Sequence, residues 1–442
     1  MLTRANEIGA NCYLLEIDGI RIVLDAGMHP KQDGLAACPR YEDLPFDSID
    51  AILISHSHLD HVGTLPVLME QQPSARVFMT PPTAALADAL LHNSVNVMTS
   101  QRAELDITEY PLFSHRSLDA TTARFETRSF DRPFDLDEHG VVRATFFDAG
   151  HILGSAGILI ESPDKRIFYT GDIHFEDHAL MKGADFPDLG DLDALIVETT
   201  RGDSERSAGY TREAEETRFI QAMNSCFDRG GAVLVPVFAI GKTQEVLTMV
   251  HTNKERGTLP DVPVFIGGLS TKMTVLFDKF ADHTRRTRPG FRILEDMDVI
   301  TGSRKRRHDI EYAPRCIFAL SSGMMTEKTV SNGFARQFIH NPRNSLLFVG
   351  YTDPSTPGAR IRAAKRGDMV DLDPSMDPVK LDCAVETFDF SGHAPRQHIL
   401  TFIKDTAAAR NILVHGDPAA SQWFANHIDH SVQPESGVPL PI

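Results

Sequence analysis

The chain is 442 residues long, with 44 Lys and Arg against 61 Asp and Glu, a net charge of −17, 42% hydrophobic and 24% charged residues, and five cysteines. This is ordinary globular usage in a chain long enough for two or three domains, and it excludes a disordered, collagen-like or disulfide-stapled protein. The longest mostly apolar stretch, residues 232–240, is broken by Pro236 and is about half the ~20 residues a membrane-spanning helix needs. The acidic balance argues against a surface that coats nucleic acid throughout, but not against a local basic groove.

The opening MLTRANEIGA has no apolar h-region, so the expected location is cytoplasmic, with no membrane partner. Two strands are predicted at 12–17 and 20–24, joined by Asp18-Gly19, a two-residue hairpin signal. Apolar runs predict further strands at 51–54, 76–79, 144–147, 157–160 and 166–169, with helical patterns at 66–72 and 83–98. A strand over 194–197 stops just before Glu198, and a helix at 212–227, a strand at 232–237 and a helix at 243–251 then suggest a βαβ insert. Mixed strands and helices mean an α/β or α+β protein. Residues 285–307 carry eight Lys and Arg against three acids, which reads either as a solvated face or as a phosphate-facing rim. A second basic run, 360–366, follows a loop punctuated by Pro354, Pro357 and Gly358. Cys12, Cys38, Cys226, Cys316 and Cys383 are scattered without a C-x-x-C pair, as suits reduced structural thiols.

The most specific signal is His56-Ser57-His58-Leu59-Asp60-His61, four metal-competent side chains directly after a predicted strand. Imidazole and carboxylate suit Zn²⁺, Mn²⁺ or Fe²⁺, and a turn at a strand end can send His56 and His58 to one side and Asp60 and His61 to the other. Two ions held this way would stabilise the attacking and leaving oxygens of a displacement at phosphorus. His151 and Asp172 also follow strand-like runs, and Asp172 is the natural bridging carboxylate because each of its oxygens can face one ion. His393, in Phe390-Ser391-Gly392-His393, and His415, after the apolar run Leu413-Val414, form a second group near the C-terminus. His398 lies on a predicted helix and is read as structural. The residues by themselves therefore indicate a dinuclear metallohydrolase.

The same residues resemble the metallo-β-lactamase superfamily, and within it the β-CASP branch of nucleic-acid-processing enzymes. Asp25 in Leu24-Asp25-Ala26-Gly27, the run from His56 to His61, His151 and Asp172 are similar to the superfamily motifs. Glu198 in Val197-Glu198-Thr199-Thr200, His393 and His415 are similar to the three motifs of the branch, and the stretches around Lys242, Ser321-Ser322-Gly323 and Thr356-Pro357-Gly358 resemble its later loops.

The resemblance implies an α/β fold of four layers, αββα, interrupted by an inserted β-CASP α/β domain: residues 1–200, the insert at 201–384, and a return at 385–442. It implies two Zn²⁺, with Mn²⁺ or Fe²⁺ as alternatives, one held by His56, His58 and His151, the other by Asp60, His61 and His415, and bridged by Asp172. It implies a ribonuclease that hydrolyses RNA phosphodiester bonds by a two-metal hydroxide mechanism, in RNA processing or decay. His393 would protonate the leaving 3′ oxygen, Glu198 would hold the His393 ring, and Asp25 would fix a ligand imidazole. Ser322, Gly323, Lys242 and Arg360 are candidate phosphate contacts. The expected partner is single-stranded RNA, with DNA possible. The alternatives are a DNA nuclease of the same branch and a catalytically silent nucleic-acid-binding subunit. Endonucleolytic against 5′-exonucleolytic action and the oligomeric state stay open.

Overall fold

A computed structural model describes residues 1–302 and 310–442. The chain divides into two compact units, the first made of Met1–Glu176, Lys182–Arg206 and His393–Ile442, the second of Asp177–Met181 and Ser207–Gly392.

The first unit is built on two sheets. One has the order β1 (Tyr13–Ile17), β2 (Ile20–Leu24), β3 (Ala51–Leu53), β4 (Arg76–Met79) and β5 (Phe125–Thr127). The β1–β2 pair is antiparallel and closes through Asp18 and Gly19 with φ of 48° and 80°, two left-handed residues of the kind that match hairpin twist. The other has seven strands. From one edge it runs β6 (Phe134–Asp135), β7 (Arg143–Asp148), β8 (Ala156–Glu161), β9 (Arg166–Tyr169) and β10 (Ala194–Glu198), then Asn411–Val414 and Ser431–Val432.

The layering follows from the period-2 alternation of these strands. Ala51 and Leu53 of β3 point inward, with Leu24 and Phe78, to a core shared with Phe146, Ile158, Ile160, Tyr169 and Ile196 of the second sheet. Their neighbour Ile52 faces outward onto a cluster that includes Leu65, Leu68, Ala87 and Leu91 of the helices Leu65–Gln71 and Pro81–Leu105. On the second sheet Leu195 and Val197 face outward with Leu413, against Ile399 and Ile403 of helix Arg396–Thr406 and Phe424 of helix Pro418–Ala425. Helix, sheet, sheet and helix are thus the four layers. Three apolar clusters fill the gaps between them.

The second unit is an all-parallel six-stranded sheet in the order Val299–Thr301, Val264–Ile266, Ile317–Leu320, Val233–Pro236, Ser345–Phe348, Ala384–Thr387. The middle strands are apolar along their whole length, as crossover helices on both faces require. Phe318 is fully buried, stacked on Phe265 at 4.9 Å between ring centroids and against Phe334 at 4.5 Å. Phe318→Ala is expected to cost about 3–5 kcal/mol, read as a shift of the urea midpoint. A change below about 1 kcal/mol would mean this aromatic stack is not part of the unit's core.

Three described cations of the basic segment are committed to structure. Buried Arg286 donates to the carbonyls of Phe291 and Phe277, Arg288 pairs with Glu255 at 2.8 Å, and Arg292 pairs with Asp282. These three cations hold turns and helix ends rather than forming an open rim, while Arg304, Lys305, Arg306 and Arg307 lie outside the described residues. All five cysteines are buried and unbridged. Among the described residues no helix is long and apolar enough to cross a membrane.

Candidate metal centre

The site belongs wholly to the first unit, where loops leave the ends of its strands. Beyond β3 the backbone N–H and hydroxyl of Ser55 donate to Asp25 Oδ1 and Oδ2 at 2.7 and 2.8 Å. The chain then passes His56 and His58 and turns into the one-turn helix Leu59–Val62, which carries Asp60 and His61. A strand end followed at once by a helical turn is what separates the two pairs of side chains. His151 follows β7 after Gly150, whose φ is 68° and where a Cβ would stand 2.3 Å from the His174 carbonyl oxygen. Asp172 follows β9 after Gly171, Glu198 ends β10, and His415 follows strand Asn411–Val414 in a left-handed conformation with φ of 49°.

Among the described residues three groups of potential ligands result: His56, His58, His151 and Asp172; Asp60, His61 and His415; and Asp172, Glu198 and His393. Asp172 faces both histidine groups with different atoms. Its Oδ2 lies 3.4 Å from His56 Nε2 and 3.6 Å from His151 Nε2, and its Oδ1 lies 3.1 Å from His415 Nε2 and 3.3 Å from His61 Nε2. Ring nitrogens also meet one another: His58 Nδ1 is 3.2 Å from His56 Nε2 and 3.1 Å from His151 Nε2, and His61 Nε2 is 3.4 Å from His415 Nε2.

Electrostatics suit a cation. Burial holds His56 well below the usual imidazole pKa and pushes His58 down to about 4, so both rings are neutral, the form that ligates. Burial works against the charge of Asp172, yet His415 and His61 hold its carboxyl well below the ordinary range. Its buried Oδ1 makes no hydrogen bond of good geometry. Converging imidazole nitrogens around a buried, unbonded carboxylate oxygen match the N/O donor set of a divalent first-row ion.

Around this centre Asp25 Oδ2 takes His61 Nδ1 at 2.7 Å and accepts from Tyr169 Oη at 2.6 Å, which leaves His61 Nε2 to face the ligand group. Glu198 holds His393 Nδ1 with both oxygens, at 3.2 and 3.0 Å, and also accepts from the backbone N–H of Ile173 at 2.7 Å. Burial opposes the charge on His393, but Glu198 and Asp172 raise its pKa to about 9. The His393 side chain is 23% exposed, whereas Glu198 is buried.

Ser322, Gly323, Lys242 and Arg360 lie in the second unit. Ser322 Oγ is bonded within its own loop to Thr326, Gly323 packs against Phe238, Lys242 opens helix Lys242–Glu255, and Arg360 pairs with Glu327 at 2.9 Å. Sequence reasoning passed over Asn11, Ser55 and Tyr169, which touch the ligands or Asp25, and Tyr13, which bonds Asn11. No local pattern marks them, because each acts on a partner distant in the chain or is a common loop residue.

Family models match in sequence order: the metallo-beta-lactamase superfamily over residues 5–209, the Beta-Casp domain over 243–361, and the Zn-dependent metallo-hydrolase RNA specificity domain over 378–434. The chain is 31% identical over 432 residues to Endoribonuclease YSH1 of Saccharomyces cerevisiae, covering 93% of this chain and 53% of that protein. It is 30% identical over 424 residues to Endoribonuclease YSH1 of Candida glabrata, covering 93% and 54%. To Transcription termination factor FttA of Methanosarcina mazei it is 28% identical over 443 residues, covering 96% and 67%. The chain thus spans about half the length of the yeast relatives. A crystal structure of a protein of unknown function from Enterococcus faecalis V583 shares the fold, with a TM-score of 0.58 at 12% identity, over 99% of this chain and 97% of the other. The fold of this superfamily implies divalent-metal binding, and the histidine and aspartate groups above are where such ions fit. With three family matches in order along most of its length, the protein belongs to the metallo-β-lactamase superfamily, in its β-CASP branch.

Proposed function

We propose that the chain is a metal-dependent ribonuclease that hydrolyses RNA phosphodiester bonds through a two-zinc centre. The observation that carries this reading is Asp172, which presents one oxygen to His56 and His151 and the other to His61 and His415, with the Glu198-bound His393 beside it. Two divalent ions, when bound, supply charge stabilisation on the phosphate oxygens and activation of water at neutral pH. His56, His58 and His151 would hold one ion, Asp60, His61 and His415 the other, and Asp172 both.

The protein's own groups supply the rest. His393 gives its proton to the leaving 3′ oxygen, and Glu198 keeps that ring oriented and charged until the transfer. Asp25 holds His61 in one tautomer. Ser322, Gly323, Lys242 and Arg360 serve as phosphate contacts in the second unit. RNA is favoured over DNA by the relatives, two of them endoribonucleases, and by the RNA specificity domain match, which includes His393 and His415.

The test is cleavage of one RNA and the DNA of matching sequence, each labelled at either end. RNA is expected to be cut and DNA left intact, since the 2′-hydroxyl is the group by which a site tells the two apart, and cleavage should stop on chelation and return with Zn²⁺. Equal cleavage of both strands would replace the ribonuclease reading with a general nuclease.

A further inference from the structure

Asn11 is fully buried just ahead of β1, in a stretch where no metal chemistry was anticipated. Its backbone N–H and its side-chain nitrogen both reach the carbonyl oxygen of Asp60, at 2.9 and 3.1 Å. The same side-chain nitrogen lies 3.1 Å from His61 Nε2 and 3.1 Å from His415 Nδ1, and 3.4 Å from the Gly9 carbonyl oxygen. Two carbonyl acceptors at this end require it to be the NH₂ group. The other end, Oδ1, accepts from Tyr13 Oη at 2.8 Å. From the opposite side the Asp60 carbonyl is closed in by Gly27, where a Cβ would fall 1.8 Å from its oxygen, and Gly27 N–H in turn donates to the Asn11 carbonyl at 2.9 Å.

One side chain therefore touches all three members of the Asp60, His61 and His415 group and no member of the His56, His58 and His151 group. We infer that Asn11, anchored by Tyr13, is a positioning residue that holds the turn carrying Asp60 and His61 of the second ligand group for one ion and leaves the first group unaffected. The inference rests on the two-ion reading of the centre proposed above. Its physical content is selectivity. The amide's two hydrogens go to the Gly9 and Asp60 carbonyls, so it fixes the Asp60 backbone and packs beside the ring nitrogens of His61 and His415, and its loss frees the turn that carries Asp60 and His61.

The test is titration of the metal-free full-length protein with Co²⁺, followed by its visible absorption, and with Zn²⁺ in competition with a chromophoric chelator. Wild type should take up two ions. Asn11→Leu, nearly the same shape without hydrogen-bonding groups, should bind the first ion with unchanged affinity and the second about 10–100-fold more weakly, the usual effect of removing a group that orients a ligand. Tyr13→Phe, which keeps the asparagine but removes its anchor, should weaken the same ion by a smaller factor and carries the test if Asn11→Leu does not fold. Unchanged second-ion affinity in the variants overturns the inference, as does equal weakening of both ions. Tighter binding of the second ion also overturns it, because the amide would then be a competitor of the ion. A wild type that binds fewer than two ions defeats the two-ion reading itself, and the inference with it.

Discussion

Asp172→Ala is expected to lose bound metal from both ligand groups and, with it, all measurable phosphodiester cleavage. The carboxylate is buried, and its two oxygens stand 3.1 to 3.6 Å from nitrogens of four histidines belonging to the two groups. Alanine removes one donor from each group together with the negative charge that offsets two dications. Metal content by mass spectrometry of the native protein and cleavage of an end-labelled RNA read the two effects separately. A variant that retains both ions and cuts RNA would refute a shared carboxylate. One that retains a single ion would assign Asp172 to the other ion alone.

His393→Ala should behave in the opposite way, keeping both ions while cleavage slows by roughly 10²–10⁴, the usual contribution of a positioned general acid. His393 is tied to Glu198 by both carboxylate oxygens and lies 3.9 Å from Asp172 Oδ2; its ring stands 4.7 Å from that of His151, but the Nδ1 that faces the carboxylates is taken by Glu198. The side chain of His393 is 23% exposed. Loss of one ion in this variant would make His393 a ligand instead of an acid. A substrate with a much better leaving group should recover most of the lost rate if the missing step is protonation, and recover none if the residue only shapes the site.

Some of this was written into short stretches of chain. The hairpin around Asp18 and Gly19 depends on two adjacent residues that tolerate positive φ, and the strands β4 and β9 on a run of three apolar residues after an arginine, so local pattern suffices. The run from His56 to His61 is likewise dense enough to stand out wherever it occurs. The long helix shows where local signal fades: its apolar pattern supports residues 83–98, yet Pro81–Leu105 is helical, because beyond Met98 its side chains are mostly exposed and carry no stripe to read. The four layers and the β-CASP membership were legible through motifs in order, and the family matches bear out that resemblance.

What the sequence by itself determined is the inventory of donors and the strand ends that carry them. Tertiary structure alone decided which donors meet. Residues 36 positions apart, Asp25 and His61, form one hydrogen bond, and residues 404 apart, Asn11 and His415, are neighbours. The grouping of Asp177–Met181 with the second unit, and the commitment of Arg286, Arg288 and Arg292 to internal pairing where composition alone left a phosphate rim open, belong to the same class. The reason is physical. Strand and turn preferences act over a few residues, whereas a ligand group assembles only when two sheets close on a common core and bring their strand ends together, and no local preference encodes that closure.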